Sequence, residues 1–197
     1  MRRAIVVVAA LVCATTAQAQ GSGSGVTIGA GGGATFATGT TGDGLNTGWN
    51  GMAFVGFNVP MIPVGLRVDG LYTHNGFKGC TGSCSGDAHT FGGNLNAMFG
   101  FPMEGTGFSP YITGGVGIAN VSASVNNTTL LGSRQGSIAA AAGDNGSETK
   151  FAWNVGAGVN FQLMSLALFV EARYLSILTD GGSTNLIPIT LGVSFRP

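Results

Sequence analysis

Charge is scarce in this chain. Of its 197 residues 8 are basic and 8 acidic, so only 8% are charged and the formal net charge is zero. A soluble globular domain carries about 25% charged residues. So few ions cannot solvate a normal surface of this size, and they leave no basic face for nucleic acid, no charged tail and no coiled coil. Long hydrophobic runs are missing as well. The longest, Ala4–Ala14, is about half of the roughly 20 residues that a spanning helix needs. What the chain has in excess is glycine, 36 residues, and apolar side chains, 44%, with a mean hydropathy of +0.36. Apolar composition without a spanning helix leaves the closed β-barrel, in which every backbone polar group is paired between strands.

The first residues read as an export signal. Arg2 and Arg3 form a positive start, Ala4–Ala14 an apolar core, and Ala17-Gln18-Ala19 the small-x-small pattern of signal peptidase. Cleavage is expected after Ala19, giving a signal peptide over 1–19 and one barrel domain over 20–197. A retained anchor is disfavoured by the short run, and lipidation at Cys13 by the poor match of Ala10-Leu11-Val12 to a lipidation box. Loss of Arg2 and Arg3 leaves 8 − 2 = 6 basic against 8 acidic residues, a mature charge of −2. Of the 3 cysteines only Cys80 and Cys84 then remain. In an exported chain this close pair is expected to form a disulfide that stiffens a loop tip. Free thiols or, with His74 and His89 nearby, a metal are the other readings, and a metal would want more ligands.

After a Gly/Ser leader an alternating pattern recurs eight times, at about Val26–Thr38, Trp49–Val59, Val64–His74, Thr90–Phe101, Ser109–Val121, Phe151–Leu163, Leu166–Leu178 and Leu186–Arg196. Each length suits a membrane-crossing strand. The sixth is the clearest: Phe151, Trp153, Val155, Ala157, Val159 and Phe161 oppose Asn154, Gly156, Gly158, Asn160 and Gln162. The fifth is Gly-rich and its facing is ambiguous. Connections after strands two, four and six are short (Pro60–Pro63, Pro102–Gly107, Met164-Ser165). Those after one, three, five and seven are longer and polar (Gly39–Gly48, Asn75–His89, Ser122–Lys150, Thr179–Asn185), with a short Ala-rich turn at Ile138–Ala142. Short turns on one side and long loops on the other is the pattern of outer-membrane barrels, with the short turns periplasmic. A secreted β-sandwich would need a solvent face, and the face opposite the apolar one is Gly, Asn, Thr and Ser with hardly any Lys or Glu. The fold class is therefore all-β, an eight-stranded antiparallel up-and-down transmembrane β-barrel.

With the strands placed, Pro110-Tyr111, Gly114-Gly115-Val116-Gly117, Trp153 to Val159, Phe169 to Tyr174 and the final Ile189 to Arg196 stand in an order that resembles the small outer-membrane protein β-barrel family, the OmpA/OmpX-like group. The resemblance spans the mature chain and implies the cell outer membrane as its location. It also implies outer-membrane lipid and lipopolysaccharide as surroundings, and the barrel-assembly machinery as a partner in biogenesis. The family commonly ends on an aromatic residue, whereas this chain ends Phe195-Arg196-Pro197, a departure that bears on insertion rather than architecture. No peptidoglycan-binding domain is expected after strand eight.

Arg67 and Asp69 on strand three, and Glu171 and Arg173 on strand seven, face the lumen in this reading. Eight strands leave an interior just wide enough for side chains to fill, and an isolated ion there costs many kcal/mol. The four are expected to form a neutral network that plugs the pore. Catalysis has little support. Lipid A-modifying enzymes exist on such barrels, and deacylation needs a Ser, a His and a carboxylate. His74, His89 and Asp87 lie near the second long loop, where polar loop residues are the simpler reading. Trp49, Tyr72, Tyr111, Trp153 and Tyr174 are candidates for interfacial girdles. The loop Ser122–Lys150, with Arg134, Asp144, Glu148 and Lys150, is the best place for an external ligand. The expectation is a monomeric, non-enzymatic outer-membrane barrel with a structural or surface-interaction role, without cofactor or metal. A narrow channel for small solutes or ions is the alternative, and a lipid A-modifying enzyme comes third. N-terminal sequencing of the protein recovered from outer membranes should begin at Gln20, and alkylation of Cys80 and Cys84 should require prior reduction.

Overall fold

The structure, a computed structural model, describes residues 25–39, 45–58, 64–76, 86–101, 103, 107–125, 147–163, 165–179 and 182–196. Signal cleavage at Ala19, the Cys80–Cys84 pair and the Ala-rich turn at 138–142 lie outside them.

Eight strands follow one another: β1 (Gly25–Thr38), β2 (Gly48–Asn58), β3 (Val64–Gly76), β4 (Gly86–Gly100), β5 (Phe108–Val125), β6 (Ser147–Leu163), β7 (Leu166–Thr179) and β8 (Gly182–Phe195). Each pairs antiparallel with the next, and β1 closes the ring on β8 from Ile28↔Phe195 to Thr38↔Asn185. Closure leaves no strand edge unpaired, the condition for β structure in hydrocarbon.

Alternation decides what each residue meets. In β3, Gly65, Arg67, Asp69, Leu71, Thr73 and Asn75 are buried while Leu66 and Val68 are exposed. The Gly-rich β5 is settled in the same way. Tyr111, Thr113, Ala119 and Val121 are buried in the lumen, and Ile112, Val116 and Ile118 face outward. With Leu95, Phe99, Val155, Phe161, Leu168, Leu191 and Val193 they form an apolar belt around the outside, which is where a barrel meets lipid.

Two expectations about the connections are corrected. β4 begins at Gly86, so His89 stands in a strand, directly opposite His74 of β3, and not in a loop. β7 and β8 run to Thr179 and from Gly182 and pair there, so only two residues separate the strands where a longer loop was expected. The cause is the same in both: polar residues continue the ladder beyond the apolar belt, where strand backbone stays paired although the side chains no longer alternate in polarity. Pro188 sits inside β8, buried in the lumen. The β7–β8 ladder is interrupted there, between Ala172↔Ile189 and Leu175↔Leu186, because proline has no N–H to give.

Val155 stands near the middle of the apolar run of β6, half-exposed on the outer wall. Its replacement by Arg should cost about 2–4 kcal/mol, the penalty for a cation near the bilayer midplane, measured by reversible urea unfolding in lipid vesicles. Val155→Leu should leave the midpoint in place.

Candidate functional site

In a ring of eight, β3 and β7 stand four places apart and therefore face each other across the lumen. Residues 67 and 69 share the inner face of β3, and 171 and 173 that of β7, because each pair is spaced by two. All four charged side chains are buried and meet in one cluster. Arg67 Nη1 and Nη2 donate to Glu171 Oε2 at 2.7 Å and Oε1 at 2.9 Å, a two-pronged pair across the barrel. Arg173 Nη2 and Nε donate to Glu171 Oε1 at 2.6 and 3.1 Å, and its Nη1 donates to Asp69 Oδ2 at 3.1 Å. Arg67 Nε stands 3.4 Å from Asp69 Oδ1. That distance suits an ion pair, although the N–H is not aligned for a hydrogen bond.

Neutral groups complete the carboxylates. Asn94 and Asn96 donate their amide N–H to Asp69 at 2.9 and 2.6 Å, and the Tyr111 hydroxyl donates to Glu171 Oε2 at 2.8 Å. Arg173 Nη2 also reaches the Met52 sulfur at 3.4 Å, and the Arg67 guanidinium lies 5.2 Å from the centre of the Phe54 ring. Two cations, two anions and their partners thus bridge β2, β3, β4, β5 and β7. Charge-assisted, two-pronged contacts are the strong ones, and hydrogen bonds that share partners in a buried network strengthen one another.

Above and below the charges the lumen is filled differently. Toward the long-loop end, Leu71 follows Asp69 by two residues, and Leu175 and Ile177 follow Arg173 by two and four. They join Ala119, Val121, Ala152 and Leu186 in a buried apolar cluster. Toward the short-turn end Phe54 and Phe169 meet edge to face at 5.5 Å. Beyond them a cavity of about 290 Å³ opens, lined by Asn58, Arg67, Tyr111, Gln162 and Arg196 among others. Glycine makes the large residues fit. A Cβ on Gly158 would stand 2.5 Å from the Tyr111 hydroxyl, and one on Gly192 2.6 Å from the Phe169 ring, so only glycine leaves these side chains their places.

The four charges expected to meet do meet. Tyr111, a girdle candidate in the sequence, is instead a lumen residue that holds Glu171; it reads as interfacial only because glycines hide the facing of β5. The roles of Asn94, Asn96 and Met52 are absent from the sequence reading. Trp49 and Trp153 do lie on the outer wall toward the long loops. They pack against Tyr72 at 5.3 Å and Tyr174 at 5.7 Å, as interfacial aromatics do. Every acid in the lumen cluster is matched by a base, so the cluster as a whole is neutral. Arg173→Met would strand Asp69 and Glu171 with one cation between them. Breaking a buried pair in this way should cost about 3–5 kcal/mol, and an unchanged urea midpoint would sink the network.

The comparisons with known proteins agree with this geometry. The family model described as outer membrane protein beta-barrel domain matches residues 5–195. Among solved structures, neisserial surface protein A is similar with a TM-score of 0.62 and 17% identity, covering 87% of this chain and 97% of that one. A major outer membrane protein from Thermus thermophilus gives 0.58 and 14%, covering 88% and 99%. Ail, the attachment invasion locus protein of Yersinia pestis, gives 0.50 and 15%, also covering 88% and 99%. At these identities the likeness is one of fold. A search of curated proteins found no match. The chain belongs to the outer membrane protein β-barrel domain family, and its place is the cell outer membrane.

Proposed function

We propose that this barrel is a closed, non-conducting and non-enzymatic outer-membrane protein whose working surface is its long-loop end. The observation that carries this reading is the cluster of Arg67, Asp69, Glu171 and Arg173, which crosses the lumen from β3 to β7 with Tyr111, Asn94 and Asn96 filling its gaps. The apolar cluster of Leu71, Leu175, Ile177 and Leu186 supports it. A hydrated ion on its way through would have to shed water against aliphatic side chains and then open paired charges, both steep barriers.

In this reading the short turns, five, seven and two residues between strands, face the periplasm. The opposite end carries the connection between Val125 and Ser147, which is 21 residues long, and that is where an external ligand would be met. Outer-membrane lipid and lipopolysaccharide surround the belt, the barrel-assembly machinery inserts it, and the protein works as a monomer.

A narrow channel is the second reading, and one observation favours it: the cavity at the short-turn end reaches as far as Arg67. Single-channel recording of the folded barrel in a planar bilayer separates the two. Folding is first verified by the heat-sensitive gel shift of intact barrels. A silent membrane is the expected result. Stable ohmic steps would overturn the closed reading and make the charge cluster a leaky constriction.

A further inference from the structure

We propose that His74 and His89, with the Tyr72 hydroxyl, form a binding site for one borderline transition-metal dication, of the Cu²⁺, Ni²⁺ or Zn²⁺ class, on the outer wall of the barrel. These are the only 2 histidines of the chain, and the β3–β4 register sets them directly opposite each other. Tyr72 stands two residues from His74 on the same outward face of β3. The three side chains converge. His74 Nδ1 lies 3.0 Å from His89 Nδ1, and the Tyr72 hydroxyl lies 2.7 Å from that same His89 nitrogen. The two rings are 4.6 Å apart between centres.

One pair of tautomers turns this convergence into a place for a cation. Asp87, the opposite number of Gly76 on β4, holds its Oδ1 3.8 Å from His74 Nε2. A carboxylate on that side favours the proton on Nε2, which leaves Nδ1 bare. The Tyr72 hydroxyl, 2.7 Å from His89 Nδ1, donates to that nitrogen in the tautomer that leaves it bare and accepts from it in the other. With both nitrogens bare, two lone pairs face each other at 3.0 Å. Either a proton on one Nδ1 bridges the pair, or a single metal ion accepts both lone pairs and frees the Tyr72 hydroxyl from His89 to join it as a ligand.

Distances suit the ion. With bonds of about 2.0–2.1 Å to imidazole nitrogen, two nitrogens 3.0 Å apart subtend roughly 90–100° at the metal. This is the right-angled arrangement that Cu²⁺ and Ni²⁺ prefer and Zn²⁺ tolerates. Asp87 behind His74 is the carboxylate that commonly orients a ligating imidazole from its far side. Among the described residues no three His, Cys, Asp or Glu side chains gather as ligands, so the site stands on two imidazoles and one phenol, with room for solvent or a lipid headgroup oxygen. The place is accessible: the His74 side chain is 29% and that of Asp87 52% exposed, beside the exposed Trp49 and Phe91. The metal would therefore sit at the upper rim of the apolar belt and tie β3 to β4 there.

The test uses Cu²⁺ as probe, titrated into the tag-free mature barrel folded in detergent micelles. Cys80→Ser and Cys84→Ser remove the thiols as competing ligands, and electron paramagnetic resonance gives the readout. The expected result is one tightly held Cu²⁺ per barrel with hyperfine structure from two equatorial nitrogens. His74→Gln and His89→Gln should each weaken binding by about 100-fold or more and abolish the two-nitrogen pattern, whereas Asp87→Asn should weaken it by about tenfold while keeping the pattern. All three side chains are on the outer wall, so the heat-sensitive gel shift should be unchanged in every variant. A folded barrel without the two-nitrogen spectrum overturns the proposal with no variant needed. So does binding by the barrel that is no tighter than by the His74→Gln/His89→Gln double variant, which would mean that the pair holds only a proton.

Discussion

Everything inside this barrel is arranged around keeping four charges satisfied in a narrow space between strands. An uncompensated ion buried there would cost many kcal/mol, a large share of the about 5–15 kcal/mol by which a domain is stable. The two guanidiniums and two carboxylates must therefore find one another whenever the barrel closes. They can do so only if β3 and β7 stand opposite and in the observed register, since a slip of one residue would turn Arg67 and Asp69 toward lipid. The cluster is thus a test of correct closure. Arg67 and Glu171 are 104 residues apart in the chain, and their two-pronged contact does not form until the strands between them are in place.

Size follows from the same constraint. A cross-barrel contact between side chains requires a narrow lumen, and a narrow lumen requires that most inward positions be small. Glycine supplies this on β1, β5, β6 and β8, which leaves the bulky inward residues, Tyr111, Phe54, Phe169, Arg67 and Arg173, somewhere to lie. Gly158 beneath Tyr111 shows the link directly: the missing Cβ is what lets the tyrosine hydroxyl reach Glu171. High glycine and low charge, the two compositional oddities of the chain, are two sides of one design.

Much of this was legible in the sequence, for a physical reason. A period of two maps directly onto in and out, so the facing of Arg67, Asp69, Glu171 and Arg173 could be read from their neighbours, and the need for neutrality said they would meet. Three things were not legible. The ends of β4, β7 and β8 run past the membrane belt, where Asp87, His89, Thr179 and Ser183 carry no alternation to read. The facing of β5 is concealed by Gly114, Gly115 and Gly117, so Tyr111 could not be assigned to the lumen. Register between neighbours is the third. That His74 and His89 face each other, that Asn94 and Asn96 both serve Asp69, and that an apolar layer of Leu71, Leu175, Ile177 and Leu186 covers the charges all depend on how strands are aligned, which single-strand patterns do not contain.

The most direct measurement of the central claim is a double-mutant cycle on Arg67 and Glu171. Arg67→Met, Glu171→Gln and the double variant would be compared with the parent by reversible urea unfolding in lipid vesicles. If the cross-lumen pair organises the interior, the two changes are strongly non-additive, with a coupling energy of about 2–3 kcal/mol. Additivity to within about 0.5 kcal/mol would contradict the account, because it would mean that the two charges are tolerated independently and that the barrel closes without regard to their meeting.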